Sequence, residues 1–240
     1  MKQPRLTLLY FAFPLLLISL SSFAGESRDV QSLDGAWTFK LDPSGVGETE
    51  KWYSAVPAFT DTITVPGAWD VQGYGEETDK LRHNYIGKGW YKREVSIPSD
   101  WKGKRAFIRF GGVYRSAKVW VNEHFLGEHI GYVSDFEYDI TQDVTPGAKA
   151  VIAIQIDSEQ RWDVDALQGC MDVIDQMYTY WGGTWGHISL EARAQTWIEN
   201  LFVQPKYSPA SCTFSGIIAG EKGLADEARL EILSPSGKVV

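Results

Sequence analysis

Cysteine is nearly absent: Cys170 and Cys212 are the only two in 240 residues. That excludes a disulfide framework, although this one pair could close in an oxidising compartment. Histidine is equally thin, with four in the chain. There is no His-rich helix and no cysteine pair at ligand spacing, so a zinc site is unsupported and neither metal nor cofactor is expected. Basic tracts are missing too. The formal net charge is −8 with lysines and arginines scattered, which argues against nucleic acid or an anionic membrane surface as partner. The longest apolar run, Leu6 to Leu20, is interrupted by Pro14 and covers only 15 residues, short of the ~20 that cross a bilayer. Alternating strand and helix patterns are also lacking, which excludes a (β/α)8 barrel. No internal repeat, low-complexity tract or flexible linker is visible.

What is present begins with an export signature. Lys2 and Arg5 precede the apolar run, and Ser22-Phe23-Ala24 supplies small residues where a signal peptidase reads. Residues 1–24 are therefore expected to be a cleaved signal, placing the mature chain in the periplasm or outside the cell. Cleavage removes Lys2 and Arg5 and takes the net charge from −8 to −10.

The mature chain reads as all-β. From Gly89 to Thr141 apolar residues fall on every second position: Val95 and Ile97; Ala106, Ile108 and Phe110; Ala117, Val119 and Val121; Phe136, Tyr138 and Ile140. Period two is the mark of half-buried antiparallel strands. Asn122-Glu123 falls between two such runs as a hairpin tip. Further strands are expected over Ala36–Leu41, Ile63–Val65, Ala150–Asp157 and Ile188–Ala192. A second set follows at Ile198–Val203, Cys212–Ile218 and Ala228–Leu233, so the chain divides near residue 195 into a domain over 25–195 and an incomplete one over 196–240.

Ten tryptophans are the outstanding compositional fact. Trp90, Trp101 and Trp120 sit in or beside strands and belong to the core or its edge. Trp69, Trp162, Trp181 and Trp185 fall in Gly- and Asp-rich connections. There a flat aromatic face either stacks against the C–H face of a sugar ring or plugs the end of a sandwich. The stretch from Ser158 to Trp185 fits neither helix nor strand, and irregular segments of that length are usually functional or disordered. Its aromatics are wrong for disorder. Its acids Asp163, Asp165, Asp172 and Asp175 could in principle form an acid–base pair, but aspartate in a connection more often caps turns or is solvated.

Four stretches in order resemble one family. Ser32-Leu33-Asp34-Gly35-Ala36-Trp37 with Phe39 forms an opening strand, and Val65-Pro66-Gly67-Ala68-Trp69 a turn. Gly89-Trp90-Tyr91-Lys92-Arg93 leads to Val119-Trp120-Val121-Asn122 and Leu126-Gly127-Glu128-His129. Trp181-Gly182-Gly183-Thr184-Trp185-Gly186-His187-Ile188-Ser189-Leu190-Glu191 closes the set. Together they resemble the N-terminal sugar-binding jelly roll of glycoside hydrolase family 2, the family of β-galactosidases, β-glucuronidases and β-mannosidases. The chain departs from the family at Ile130-Gly131-Tyr132, at Asp135-Phe136, and at Trp185-Gly186, where an aromatic–arginine pair is common.

The resemblance implies a jelly-roll β-sandwich followed by the start of an immunoglobulin-like sandwich. It also implies that catalysis belongs to two glutamates on a barrel following the second domain, so no residue here is assigned a catalytic role. By the same resemblance the long connections approach the barrel mouth, and Asn84, Tyr85, Asp175 and Trp181 are the candidates for sugar contact. The expected function is the non-catalytic N-terminal part of an exported retaining β-glycosidase, with carbohydrate and the C-terminal barrel as partners and a homo-oligomer left open. A free-standing carbohydrate-binding module is the alternative, and a purely structural role the third reading.

Overall fold

A computed structural model describes residues 28–56, 58–77, 83–131, 134–159, 182–220, 231, 233–234 and 236–239. The strands, in chain order, are β1 Asp29–Ser32, β2 Gly35–Asp42, β3 Asp61–Val65, β4 Gly67–Ala68, β5 Glu76–Glu77, β6 His83–Asn84, β7 Lys88–Ser96, β8 Arg105–Phe110 and β9 Val113–Tyr114. They continue as β10 Ser116–Val121, β11 His124–Ile130, β12 Phe136–Asp139, β13 Lys149–Asp157, β14 Gly183–Thr184, β15 Ile188–Arg193, β16 Thr196–Lys206 and β17 Ser211–Gly220. Helix is limited to short 3-10 turns at Asp70–Gln72 and Ser99–Trp101 among the described residues. None is long and apolar enough to cross a membrane.

Two compact units result, one over Arg28–Ala192 and one that includes 193–240. The first is a jelly-roll β-sandwich. Its larger sheet has the order β11-β10-β13-β7-β2-β3 and its smaller β1-β15-β8-β12. Alternation decides what lies between them. Val119 pairs with Ile154, Ile154 with Tyr91, and Tyr91 with Phe39, so one row of inward side chains crosses the larger sheet. Ile108, Phe110, Ile188 and Leu190 face it from the smaller sheet, and all are buried. Each aliphatic side chain removed from water here contributes about 1.5–3 kcal/mol. A slip of one residue would turn every one of them outward.

The larger sheet is covered on its other face as well, which half-buried strands did not predict. Trp90, Trp120 and Ala153 point outward and are buried under Trp52 and Phe59, with Tyr53 packed against them. The segment between β2 and β3 folds back as a strap. Asp42, buried at the end of β2, holds it by accepting the N–H of Val46 at 2.9 Å, of Gly47 at 2.9 Å and of Trp90 Nε1 at 3.0 Å. Three donors to one ionised acceptor are an effective local clamp. Lys92 Nζ donates to Ser54 O at 2.6 Å from the same face.

The hairpin tip at Asn122-Glu123 forms as expected, with φ of 47° and 70°. Positive φ at both central positions gives the twist that joins two right-twisted strands. In the second unit β16 and β17 pair as a hairpin with a register shift between Glu199 and Phe202. Residues 228–230 of the third strand expected there lie outside the described residues, and Leu233 bridges Val239.

Candidate functional site

Strand register sets one end of the larger sheet. Lys88 pairs with Asp157, Asp157 with Ser116, and Ser116 with Ile130, which lines up the starts of β7 and β10 with the ends of β13 and β11. The connections leaving these strands are stitched into a rim by backbone hydrogen bonds. Ser158 N–H donates to Gly87 O at 3.0 Å, Arg115 N–H to Asp157 O at 3.0 Å, and Gly131 N–H to Arg115 O at 2.9 Å. Gly87 N–H in turn donates to Ser158 Oγ at 3.1 Å.

Trp69 is the keystone behind this rim. The short sheet β4-β14-β9 pairs Gly183 with Ala68 on one side and Tyr114 on the other. Trp69 N–H extends it by donating to Gly182 O at 2.9 Å. The indole is fully buried. A Cβ on Gly89 would fall 2.7 Å from the ring and one on Gly182 only 2.0 Å from it, so glycine at both positions is what admits the tryptophan. Of the two roles open to Trp69, it plugs the sandwich and does not present a stacking face.

The expected site residues divide by location. Tyr85 sits over the keystone, its ring centroid 5.8 Å from Trp69 at 66°, and its carbonyl accepts Trp69 Nε1–H at 3.3 Å. Its hydroxyl donates to Lys88 O at 2.9 Å. Burial first, and the nearby Asp42 charge second, push this phenol up to about 12. It therefore stays neutral, with an oxygen lone pair able to accept from a sugar hydroxyl. Asn84 is exposed beside it and pairs through its backbone with Glu76. Asp175 and Trp181 lie outside the described residues, as do Trp162, Asp163, Asp165, Asp172 and Cys170. Cys212 is half-buried on β17.

Other residues at this end carried no expected role. Arg115 is buried, its Nη2 donating to Tyr114 Oη at 3.0 Å. His129 stacks on Phe136 at 4.0 Å and 11°, and Phe136 on Phe110 at 4.6 Å and 9°. Burial lowers the His129 pKa below its ordinary value, opposed by the Asp135 charge. Next to the β14–β15 turn, His187 Nδ1 is 2.6 Å from Asp34 Oδ2. The signals for this last pair were in the sequence, since both residues fall inside stretches quoted above, but nothing in their spacing places them together. Among the described residues no group of three His, Cys, Asp or Glu could hold a metal ion.

Residues 30–193 match the family described as Glycosyl hydrolases family 2, sugar binding domain, and the chain belongs to that family. It is 31% identical over 137 residues to a beta-glucuronidase of Paenibacillus borealis, covering 57% of this chain and 22% of that protein. It is 27% identical over 236 residues to a beta-glucuronidase of Bacteroides fragilis, covering 94% and 30%. A beta-galactosidase of Thermoanaerobacter pseudethanolicus is 32% identical over 154 residues, covering 62% and 20%. The chain thus spans less than a third of the length of these relatives. In fold it is similar to the β-glucuronidase of Ruminococcus gnavus in complex with D-glucuronic acid, with TM-score 0.70 at 20% identity over 92% of this chain and 39% of that one.

Proposed function

We propose that this chain is the sugar-binding N-terminal part of an exported retaining β-glycosidase of the β-glucuronidase or β-galactosidase type. Its rim shapes the sugar subsite of a catalytic barrel contributed by further sequence. The observation that carries the reading is the keystone arrangement. Trp69, fixed between Gly89 and Gly182, ties the 83–88 connection, through Tyr85 O, to Gly182 O just before β14. Asn84 and Tyr85 supply hydrogen-bonding groups at that rim, and Asp175 and Trp181, outside the described residues, stay as the other two candidates for sugar contact by residue type alone. The two catalytic glutamates belong to the barrel. The β16–β17 hairpin, with Ile198, Phe202 and Ile218 exposed, is the start of an immunoglobulin-like domain that further strands complete. Export rests on the signature over residues 1–24.

Turnover of nitrophenyl β-glucuronide and β-galactoside, with and without the continuation of the reading frame, tests the assignment. Hydrolysis is expected only when the barrel is present. Hydrolysis by the 240 residues alone, or a barrel-containing protein unaffected by Tyr85→Ala, would overturn it.

A further inference from the structure

The larger sheet ends on β3 at one side and on β11 at the other, and the two edges differ. β11 shifts register against β10 between Val119 and Trp120 and carries Glu128. Bulges and charges of this kind keep an edge from pairing with a foreign strand. β3 has no such irregularity, its five residues opposing β2 without a break from Gly35↔Val65 to Phe39↔Asp61. After Asp61 it reads Thr62-Ile63-Thr64-Val65, all uncharged and β-branched, the types that best fit a strand. A regular, uncharged edge is a template for one more strand.

Side chains lie where that strand would pair. In an antiparallel ladder the N–H and C=O of one residue point to the same side, and at Thr62 and Thr64 this side faces away from β2. Thr64 N–H donates to Gln72 Oε1 at 2.7 Å, and Gln72 Nε2 donates back to Thr64 O at 3.0 Å. One side-chain amide thus meets both groups of one residue, as the backbone of a neighbouring strand would. Nε2 also donates to Ala68 O at 3.2 Å, which fixes the amide plane. The Tyr74 hydroxyl donates to Thr62 O, and its ring packs edge-on against Phe39 at 4.6 Å. The backbone sets both side chains in place, since Gln72 N–H and Tyr74 N–H each donate to Trp69 O at 3.1 Å. Gly67 makes the room, because a Cβ there would fall 2.4 Å from Gln72 Nε2.

We propose that Gln72 and Tyr74 form an edge lock that keeps β3 from pairing with β3 of a second copy of this chain. The excluded occupant is the chain itself because the edge is self-complementary. About a two-fold axis at Ile63, Thr62 of one copy faces Thr64 of the other, and their outward N–H and C=O groups meet. The lock is intramolecular, so its donors and acceptors are at hand at any protein concentration, whereas a second copy must be recruited. The inference is independent of the sugar-handling reading.

Sedimentation velocity on the full chain over a range of concentrations tests the lock. Gln72→Ala with Tyr74→Phe removes the hydrogen bonds to Thr62 and Thr64 and keeps a ring against Phe39. With circular dichroism unchanged, this variant is expected to associate at least about tenfold more tightly than the unmodified chain. Adding Thr64→Lys sets like charges across the new contact and should return association to the unmodified level. Exchange of the Thr64 amide supplies the local reading, fast in the dilute double variant and slowed as its concentration rises. Should the double variant unfold, Gln72→Ala alone carries the same comparisons. A folded variant that associates no more than the unmodified chain would overturn the lock. Association that Thr64→Lys leaves intact would overturn it too, by placing the contact away from β3.

Discussion

Single residues here act mainly through close approach. Trp69 fills the space that Gly89 and Gly182 leave, and truncating it to alanine opens a cavity where the rim is anchored. Trp69→Ala is expected to lower unfolding stability by about 3–5 kcal/mol, measured by urea denaturation. Gly182→Ala pushes a methyl into the same ring and should destabilise by at least about 1–3 kcal/mol. Glu123 is the opposite case. At φ 70° it occupies a turn position where glycine is preferred, so Glu123→Gly should raise stability by up to about 1 kcal/mol, seen as a higher melting temperature. His129 links structure to pH. Burial holds its folded pKa below the unfolded value, so the unfolded chain binds more protons as the pH drops through about 6.5. The stability this residue contributes is full above that pH and is lost on acidification. His129→Phe keeps a ring on Phe136 and should reduce the difference in melting temperature between pH 7.5 and pH 5.5; an unchanged difference would refute the assignment.

Among the elements, the strap between β2 and β3 is the least expected. Its sequence is polar and rich in turns, yet Trp52 and Phe59 bring the cover that makes the larger sheet buried on both faces. Asp42 fixes it by accepting three N–H groups. Asp42→Ala leaves those donors unmet and should lower stability by about 2–3 kcal/mol. The strap is expected to open first. Hydrogen exchange would then show Val46 and Gly47 amides losing protection while β13 amides keep theirs. Equal loss in both would mean that strap and sheet unfold as one unit. The strands themselves were legible, because alternation over Ala117–Val121 and Ile152–Ile156 encodes both the element and its buried face. The strap was not, since a tryptophan in a turn-rich segment carries no signal of which surface it will cover.

At the scale of the whole molecule, the two units differ in how much apolar surface they close off. The sandwich has a continuous core, whereas the hairpin leaves Leu201, Phe202, Ile217 and Ile218 exposed. A lone two-stranded hairpin is marginal in water. In the isolated chain, amides of β16 and β17 should exchange faster than those of β7 and β13, and equal protection would show that the hairpin has found cover.

Sequence alone determined the all-β class, most strand positions, the hairpin tip and the family, because these depend on local alternation, turn residues and short motifs. It also brought Asn84 and Tyr85 forward as candidates for sugar contact, a role that belongs to the proposed function. Tertiary structure decided what the aromatics do. Whether a tryptophan in a glycine-rich connection is buried or exposed depends on which distant backbone approaches it. Trp69 meets Gly182 and disappears into the core, while Trp185 meets Gly112 and stays partly exposed. Asp34 and His187, 153 residues apart, become a pair for the same reason: only the pairing of β1 with β15 brings them into contact.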